Sequence, residues 1–425
     1  MSEPGHMQRI PLQSWMVEPA TLAVLGALAA GGEEARFVGG SVRDALLGLP
    51  IGDIDIATPA PPERVIELLD KRGIKVVPTG LAHGTVTAVT GTPPRHFEIT
   101  TLRRDVETYG RRARVAFDAD WAADAARRDF TINAIFLDPD GTPHDPVGGL
   151  ADLRARRVRF VGDPATRIAE DVLRILRYYR FEARFGTGEG DPGARAACRA
   201  AALLLPNLSA ERVAQELVRL LETPGPVPAL QMMQQDGVLI MMLPEARRLD
   251  RLRQMIVIEP DADPLRRLAA LVDVDSGGAG ALAERLRFSN AWRDRLRDLA
   301  APWPLDPQAD LRAQRRALYR LGAARYRDLA LLSAAEGAMN RDRLDELLAL
   351  AHAWTPPVFP VTGRDVTALG IPPGPQIGQL LDAVHDWWVK VDFTADGAAC
   401  LDYLRALAAR SASPNNGRAG YPKDT

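Results

Sequence analysis

Two aspartates separated by one residue, Asp53 and Asp55, are the side chains in this sequence best suited to chemistry. They alternate with Ile54 and Ile56, and this period of two predicts a short β-strand with the isoleucines on one face and the aspartates on the other. The aspartates would lie about 7 Å apart at their Cα atoms, because a strand rises roughly 3.3 Å per residue. A divalent cation between them would remove their repulsion, and oxygen ligands select ions such as Mg²⁺. Two solvated aspartates at a strand edge are the alternative.

A glycine pair before the aspartates is suited to binding phosphate. Gly39 and Gly40 follow the apolar end of a predicted strand. Glycine has no Cβ, so the backbone can turn tightly there and present its N–H groups at close range. Arg43 follows at the start of a predicted short helix. A phosphate-binding turn beside a metal-binding pair predicts nucleotidyl transfer, with Asp53 and Asp55 as the catalytic and metal-binding residues and Gly40 and Arg43 as nucleotide-binding residues.

The stretch from residue 166 to residue 184 has an apolar stripe that predicts one amphipathic helix. Asp171, Arg174, Arg177 and Arg180 recur every three residues and would form a ridge along one side of that helix. A solvated basic face is one interpretation of this ridge. In that case Glu170 and Asp171 would pair with the neighbouring arginines.

Base selection is the other interpretation, because an adjacent carboxylate and guanidinium can imitate a complementary base. Asp171 can accept from the exocyclic amino group of cytosine or adenine, and Arg174 can donate to cytosine N3 or adenine N1. Uracil and guanine would place a carbonyl oxygen against the carboxylate, and unpaired buried polar groups are costly. A good bidentate contact discriminates by about 1–3 kcal/mol in groove readout. Asp171 and Arg174 are therefore candidates for accepting C and A and rejecting U and G.

The overall composition sets limits on the class of protein. A chain of 425 residues is too long for one core and predicts two to four domains. The net charge of −2 excludes a globally basic nucleic-acid coat. Cys198 and Cys400 are far apart and fit a reducing compartment, so we expect a cytoplasmic protein. The apolar run from Leu22 to Ala30 is too short to span a bilayer, so we expect no membrane partner.

The order of these motifs resembles a known family. G-G-S-V-R-D followed by D-I-D, R-R-D-F-T-I-N-A at residues 127–134 and E-D-x-x-R-x-x-R-x-x-R-F at residues 170–181 are similar to signatures of the class II nucleotidyltransferases, which comprise the tRNA CCA-adding enzymes and the bacterial poly(A) polymerases. The resemblance implies that Arg128 grips the triphosphate and that Arg177 and Arg180 also contact the nucleotide. It implies CTP and ATP as substrates, Mg²⁺ as cofactor and the tRNA 3′ end as partner, with no obligate protein partner.

The resemblance also implies an α+β fold. A nucleotidyltransferase head, with a small mixed sheet and helices, is expected to precede all-α neck, body and tail domains. Asp129 and Asn133 are expected to organise the site by hydrogen bonds rather than to touch substrate. The predicted boundaries are 15–150 for the head, 151–223 for the neck, 224–355 for the body, 356–410 for the RNA-binding tail and 411–425 for a disordered end.

Two features of the predicted head have two interpretations each. Glu98 falls on the polar face of a predicted strand, where it supplies a third acidic group near the metals or forms a salt bridge to Arg103 or Arg104. The segment 105–120 has little periodicity, which fits either a mobile lid over the nucleotide or an ordinary exposed loop.

The function expected from these motifs is template-independent addition or repair of the tRNA CCA end, with release of pyrophosphate. Alternatives are a poly(A) polymerase, an enzyme that adds only C or only A, and a catalytically inactive RNA-binding relative. The presence of Asp53 and Asp55 argues against the inactive relative.

Overall fold

A seven-stranded mixed sheet forms the N-terminal part of the protein. The computed structural model describes residues 9–81, 84–109, 112–117, 119–301 and 305–412. The strand order is β3-β4-β5-β2-β1-β8-β9, and β2 and β5 pair in parallel. A separate hairpin is formed by β6 and β7. The strands are β1 (Arg36–Val38), β2 (Ile54–Thr58), β3 (Lys75–Gly80), β4 (Thr85–Thr90), β5 (Arg95–Thr101), β6 (Arg103–Tyr109), β7 (Arg112–Phe117), β8 (Phe136–Leu137) and β9 (Pro143–His144).

Helices α3 (Gly40–Leu46) and α4 (Pro62–Asp70) pack against this sheet, and all regular secondary structure in the described chain after β9 is helical. The predicted α+β fold, with a small mixed sheet at the N-terminus, is therefore confirmed. The helices up to residue 242 are α1 (Ser14–Val17), α2 (Pro19–Ala30), α3 (Gly40–Leu46), α4 (Pro62–Asp70), α5 (Trp121–Ala126), α6 (Gly149–Arg154), α7 (Pro164–Glu170), α8 (Arg174–Phe185), α9 (Pro192–Ala201), α10 (Ala210–Leu221), α11 (Pro226–Gln235) and α12 (Val238–Met242).

The remaining helices include those of the predicted body and tail. They are α13 (Leu249–Ile258), α14 (Pro264–Leu271), α15 (Ser276–Arg285), α16 (Asn290–Ala300), α17 (Leu311–Leu321), α18 (Ala323–Ala335), α19 (Arg341–Ala353), α20 (Gly363–Thr367), α21 (Pro375–Lys390) and α22 (Gly397–Ala412).

The chain divides into two compact units. The first comprises Met1–Ile256 and Asp261–Asp294, and the second comprises Val257–Pro260 and Arg295–Thr425. The division near residue 294 falls inside the predicted body at 224–355. The finer division into head, neck, body and tail stays a prediction. Helix α22 continues to residue 412, and the rest of the predicted disordered end lies outside the described residues.

The alternation that predicted β2 is present in the structure. Ile54 and Ile56 are buried, whereas Asp55 between them is only partly buried. Asp53 lies one residue before the strand and is exposed. The sheet is covered by α4, whose buried side chains include Val65 on its inner face.

The segment 105–120 contains β-structure rather than a loop. Strands β6 and β7 pair antiparallel, with Arg103 opposite Phe117 and Tyr109 opposite Arg112. A signal was available, because Ala113, Val115 and Phe117 occupy alternate positions of residues 112–117. The many charged residues of the segment favoured the interpretation as a loop or lid instead. Residues 110, 111 and 118 lie outside the described residues, and the role as a lid stays a prediction.

The stretch 166–184 is not one helix, as was expected. Helix α7 ends at Glu170, Asp171 has an extended backbone (φ −153°, ψ 107°), and α8 begins at Arg174. The Asp171 carboxylate accepts a hydrogen bond from the backbone N–H of Leu173 at 3.1 Å. Aspartate competes in this way for backbone donors and favours helix ends over helix interiors. The apolar stripe continues through both helices, so it could not reveal the break.

The second unit has its own aromatic core. Trp388 is buried and packs edge-on against Phe393, with ring centres 5.0 Å apart. Tyr319 packs against both of these rings and donates to or accepts from His385 Nε2 at 3.0 Å. Among the described residues, no helix is both long enough and apolar enough to cross a membrane.

A buried acid in α8 makes the stability of the first unit depend on pH. The Glu182 side chain is buried. Burial and the nearby charge of Asp191 raise its pKa from 4.5 to about 7, although hydrogen bonds from Val158 and Tyr178 oppose this rise. Its Oε2 has no hydrogen-bond partner among the described residues, and a Cβ on Gly186 would lie only 1.9 Å from it. Ionisation of Glu182 is therefore unfavourable in the folded state.

We expect Glu182→Gln to reduce the loss of stability that wild type shows between pH 5 and pH 8. Between pH 4.5 and pH 7 the native state holds a proton that the unfolded state releases, so the free energy of unfolding falls as pH rises, by on the order of 3 kcal/mol in total. Urea unfolding of both proteins at pH 5 and pH 8 measures the difference. Equal pH dependence in the two proteins would contradict this assignment.

Candidate active site

The turn at Gly39 brings the catalytic candidates together. Gly39 has φ +75° and ψ −134°, a conformation open to glycine and strained for other residues. A Cβ there would lie 3.0 Å from Asp55 Oδ2 and 3.9 Å from Arg128 Nη1. Gly40 follows as the first residue of α3, and a Cβ on it would lie 3.6 Å from Arg43 Nη2. The glycine pair therefore lies against both a predicted metal ligand and two predicted phosphate ligands.

Negative charge is concentrated at the start of β2. Burial, together with the charges of Glu98 and Asp53, raises the pKa of Asp55 to about 6, although Arg128 and Arg43 oppose this rise. Glu98 lies directly beside Asp55 because β2 and β5 pair in parallel with these two residues in register. A cation would stabilise such a cluster of acids.

The donor set at this cluster fits Mg²⁺. Mg²⁺ is usually held by one or two carboxylates together with waters and substrate phosphates. Nowhere in the described part of the chain do three or more His, Cys, Asp or Glu side chains already converge on one metal position. The pair Asp53 and Asp55 stays the predicted metal site, and two carboxylates would leave coordination positions for water and for a phosphate-bearing substrate.

Arg128 is oriented from the α5 side of the cluster. Its Nη2 and Nε donate to Asp124 Oδ2 at 2.9 and 3.1 Å. Although burial raises the pKa of Asp124, the charges of Arg128 and Arg127 outweigh this effect and lower it. The guanidinium carbon lies 5.4 Å from the centre of the Phe136 ring. Asp124 thus holds Arg128 at the Gly39 turn and remains ionised.

Arg43 is nearly buried, with 7% of its surface exposed. Its Nε donates to Asp44 at 2.9 Å, and its Nη1 donates to Asn133 Oδ1 at 2.6 Å. The guanidinium carbon lies 4.2 Å from the centre of the Phe185 ring on α8, within the range of a cation–π contact. A residue from the head is therefore held by both the head and the predicted neck.

The hydrogen bonds expected of Asp129 and Asn133 are present. Asn133 Nδ2 and the Phe130 N–H donate to Asp129 Oδ1 at 3.1 and 2.9 Å, and Arg177 Nε donates to Asp129 Oδ2 at 2.9 Å. Burial raises the pKa of Asp129, but the charge and hydrogen bonds of Arg177 outweigh it and lower the pKa to about 2. Asp129 is therefore ionised at neutral pH.

The two predicted base-selecting residues lie at the break between α7 and α8. The Arg174 N–H donates to the Asp171 backbone oxygen at 3.0 Å, but their side chains bond to other residues. Arg212 on α10 donates to Asp171 Oδ2 at 2.6 Å. Arg174 donates to Glu170 and, at 2.9 Å, to the backbone oxygen of Arg167. The side chains of Asp171 and Arg174 are 27% and 16% exposed, so neither points freely into solvent.

Helix α10 supplies partners that sequence reasoning did not assign. Glu216 Oε2 accepts from Arg180 Nε at 2.5 Å, and its Oε1 lies 3.7 Å from Arg177 Nη1. Arg212 and Glu216 are four residues apart and therefore lie on one face of α10. The sequence therefore held a signal for these contacts. Arg212 is complementary in charge to Asp171, and Glu216 is complementary to the arginine ridge.

A cleft of about 760 Å³ lies in the first unit and joins head residues to predicted neck residues. Three predicted site residues, Asp53, Arg43 and Arg180, line it. Its cationic lining fits an anionic ligand. The other lining residues are Leu49, Arg184, Arg219, Glu222, Thr223 and Pro224.

Gly39→Ala is expected to displace Asp55 and to lower both stability and nucleotide incorporation. The backbone conformation alone costs a residue with a Cβ about 1–3 kcal/mol. Gly48→Ala is the matched control, because Gly48 also has positive φ (+68°) but no atom lies within 4 Å of its Cβ position. Urea unfolding and incorporation assays on both variants measure the difference. An active Gly39→Ala enzyme would contradict the importance of this contact.

Comparison with known proteins shows which family this chain resembles. Residues 35–159 match the family described as "Poly A polymerase head domain", and residues 191–249 match "Probable RNA and SrmB- binding site of polymerase A". The chain is 34% identical to a Mus musculus protein named mitochondrial CCA tRNA nucleotidyltransferase 1. The 389 matched residues cover 88% of this chain and 86% of the mouse protein. A Geobacillus stearothermophilus protein named CCA-adding enzyme is 40% identical over 219 residues, which cover 51% of this chain and 52% of that protein.

A solved structure extends the similarity to the fold. The crystal structure of the Bacillus stearothermophilus CCA-adding enzyme in complex with CTP superposes with a TM-score of 0.76 at 30% identity, covering 92% of this chain and 98% of that one. The fold therefore agrees over nearly the full length of both chains. The chain belongs to the family of CCA tRNA nucleotidyltransferases.

Proposed function

We propose that this protein adds or repairs the 3′-terminal CCA of tRNA from CTP and ATP without a nucleic-acid template. The observation that supports this most directly is the cleft that joins Asp53 to Arg43 and Arg180, because it combines an acid of the metal pair with guanidinium groups that bind phosphate. The family to which the chain belongs agrees with this chemistry.

Asp53 and Asp55 would hold the Mg²⁺ ions. The raised pKa of Asp55 beside two other acids supports this, since a divalent cation would stabilise the ionised form. When bound, the metal ions would lower the pKa of the RNA 3′-hydroxyl and neutralise charge on the triphosphate. In the reaction the 3′-oxygen forms a bond to the α-phosphorus, the bond from that phosphorus to the β-phosphate bridging oxygen breaks, and pyrophosphate leaves.

The protein groups proposed to bind the triphosphate surround the same turn. The Gly40 backbone N–H and the guanidinium groups of Arg43 and Arg128 would donate to phosphate oxygens, and Arg177 and Arg180 would contact the phosphate or sugar. Each of these arginines already has an acidic or amide partner, so their geometry is established before the nucleotide arrives. Such preorganisation reduces the entropy lost on binding.

Asp171 and Arg174 would select the base. Both are engaged by protein groups, Asp171 by Arg212 and Arg174 by Glu170. Cytosine or adenine would offer the carboxylate an amino donor in place of Arg212 and the guanidinium a ring nitrogen acceptor in place of Glu170. Uracil or guanine would not, so they could not displace these partners at equal cost.

The RNA partner is proposed to be the tRNA 3′ end, held through backbone and shape rather than sequence. We propose the cytoplasm as the place of action, because Cys198 and Cys400 are both free, as is usual in a reducing compartment. The mouse relative is named as mitochondrial, so localisation of a tagged protein is the direct test.

Incubation of the purified protein with tRNA lacking its 3′ end, Mg²⁺ and each labelled nucleotide tests the function. We expect CTP alone to add two residues, ATP to follow only after them, and addition to stop after three. Long A tails from ATP alone would instead establish a poly(A) polymerase, and addition of only C or only A would establish a partial enzyme. No incorporation would establish an inactive relative.

A further inference from the structure

A single side-chain amide connects two groups of ionic contacts in the first unit. Arg43 Nη1 donates to Asn133 Oδ1 at 2.6 Å, and Asn133 Nδ2 donates to Asp129 Oδ1 at 3.1 Å. Asp129 Oδ2 accepts from Arg177 on α8. Asn133 is 8% exposed, so water competes little for these hydrogen bonds. The chain Arg43–Asn133–Asp129–Arg177 thus runs from the α3 turn to the helix that follows the base-selecting break.

The two hydrogen-bond partners of Asn133, Arg43 and Asp129, determine which side chain can lie between them. The Arg43 guanidinium has only donors, and the ionised Asp129 carboxylate has only acceptors. The side chain between them must accept on one side and donate on the other. A carboxamide of this length does both, and its orientation follows from its partners. An aspartate at position 133 would face Asp129 with a second negative charge.

We propose that Asn133 is a positioning residue that couples the phosphate-binding Arg43 to Arg177 on the nucleotide-selecting helix. This inference rests on the proposed function, since the roles of Arg43 and Arg177 come from it. Asn133 is itself held by protein groups on both sides. Its loss would leave every substrate-binding group present and the contact of Arg43 with Phe185 intact, but would remove the hydrogen-bonded link between Arg43 and Arg177. Arg177 could then shift relative to the phosphate site, and a displacement of about 1 Å can reduce turnover about 100-fold.

Asn133→Asp tests the proposal. We expect kcat/KM for CTP to fall by about 100-fold, because the new carboxylate repels Asp129 and shifts Arg177. Asp129→Asn combined with Asn133→Asp exchanges the two side chains. The carboxylate at position 133 then accepts from Arg43, and the amide at position 129 donates to that carboxylate. The exchanged pair should recover at least about tenfold over Asn133→Asp alone, but not wild-type activity, since the Phe130 N–H loses its acceptor.

The controls separate coupling from general damage. Asn207→Asp makes the same change of charge at an exposed position and should leave kcat/KM unchanged. An Asn133→Asp enzyme with near wild-type kcat/KM would overturn the proposal. So would an exchanged double variant that is no better than the single variant, because a role in packing alone gives no rescue by charge.

Two further measurements keep the test decisive. If Asn133→Asp does not fold, Asn133→Ala is used instead and is combined with Arg177→Lys. Losses of kcat/KM that do not add in the double variant support coupling. An unchanged kcat/KM in Asn133→Ala overturns it. If wild type incorporates no CTP, the proposed function fails separately. The rescue by the exchanged pair is then measured as a melting temperature, and its absence overturns the coupling.

Discussion

Replacing Asp55 with asparagine is expected to abolish nucleotide addition while leaving the protein at least as stable as wild type. The carboxylate would hold a metal ion that stabilises the charge developing in the transition state by several kcal/mol. Without that metal ion, kcat should fall by about 1,000-fold or more. Stability should not fall, because the fold disfavours the ionised form: burial, Glu98 and Asp53 raise the pKa of Asp55 to about 6. At pH 8 the neutral amide removes that unfavourable ionisation.

The opposite effects on activity and stability distinguish a catalytic acid from a structural one. Incorporation of labelled CTP and urea unfolding at pH 8 measure them for wild type and Asp55→Asn. Asp70→Asn, the same change at an exposed helix residue, is the control and should alter neither. Full activity of Asp55→Asn would remove the metal-binding role, and loss of stability would point to a structural role instead.

The double variant Asp171→Asn with Arg174→Gln is expected to weaken the preference for CTP over UTP. The two amides can present a donor to the carbonyl of uracil and an acceptor to its N3–H, which is the complement of the wild-type pattern. Since one good bidentate contact discriminates by about 1–3 kcal/mol, the preference for CTP over UTP should fall by roughly 10- to 100-fold. Competition between CTP and UTP on one tRNA measures the ratio directly.

Arg219→Gln provides the contrast, because Arg219 lines the cleft but is given no role in base selection. It should raise KM for CTP and UTP equally and leave their ratio unchanged. If the double variant also lost activity with an unchanged CTP-to-UTP ratio, base selection would have to be assigned to other groups. Asp171 and Arg174 would then serve the fold through their pairs with Arg212 and Glu170.

The break between α7 and α8 changes how base selection is understood. The sequence predicted one rigid helix carrying both base-selecting residues, whereas Asp171 lies in extended backbone and Arg174 begins the next helix. Asp171 is held instead by Arg212, a residue distant in sequence. The orientation of the carboxylate therefore depends on how α10 packs against α8, which no periodicity within 166–184 could show.

The local patterns were sufficient where a residue's environment is decided by its chain neighbours. Alternation of period two identified β2 and placed Ile54 and Ile56 inside, because successive side chains of a strand point to opposite faces. The glycine pair predicted the tight turn, because only a residue without a Cβ accepts the backbone angles of Gly39. The order of the motifs was enough to predict the family and its chemistry.

The tertiary structure decided which distant groups meet. Glu98 lies beside Asp55 only because β2 and β5 pair in parallel, and Glu216 meets Arg180 only because α10 packs on α8. Asn133 joins Arg43 to Asp129 through contacts that cross the head. Local sequence determines the conformation of a segment through its own sterics and hydrogen bonds, whereas pairing between segments depends on burial of the whole core, which is a property of the folded chain.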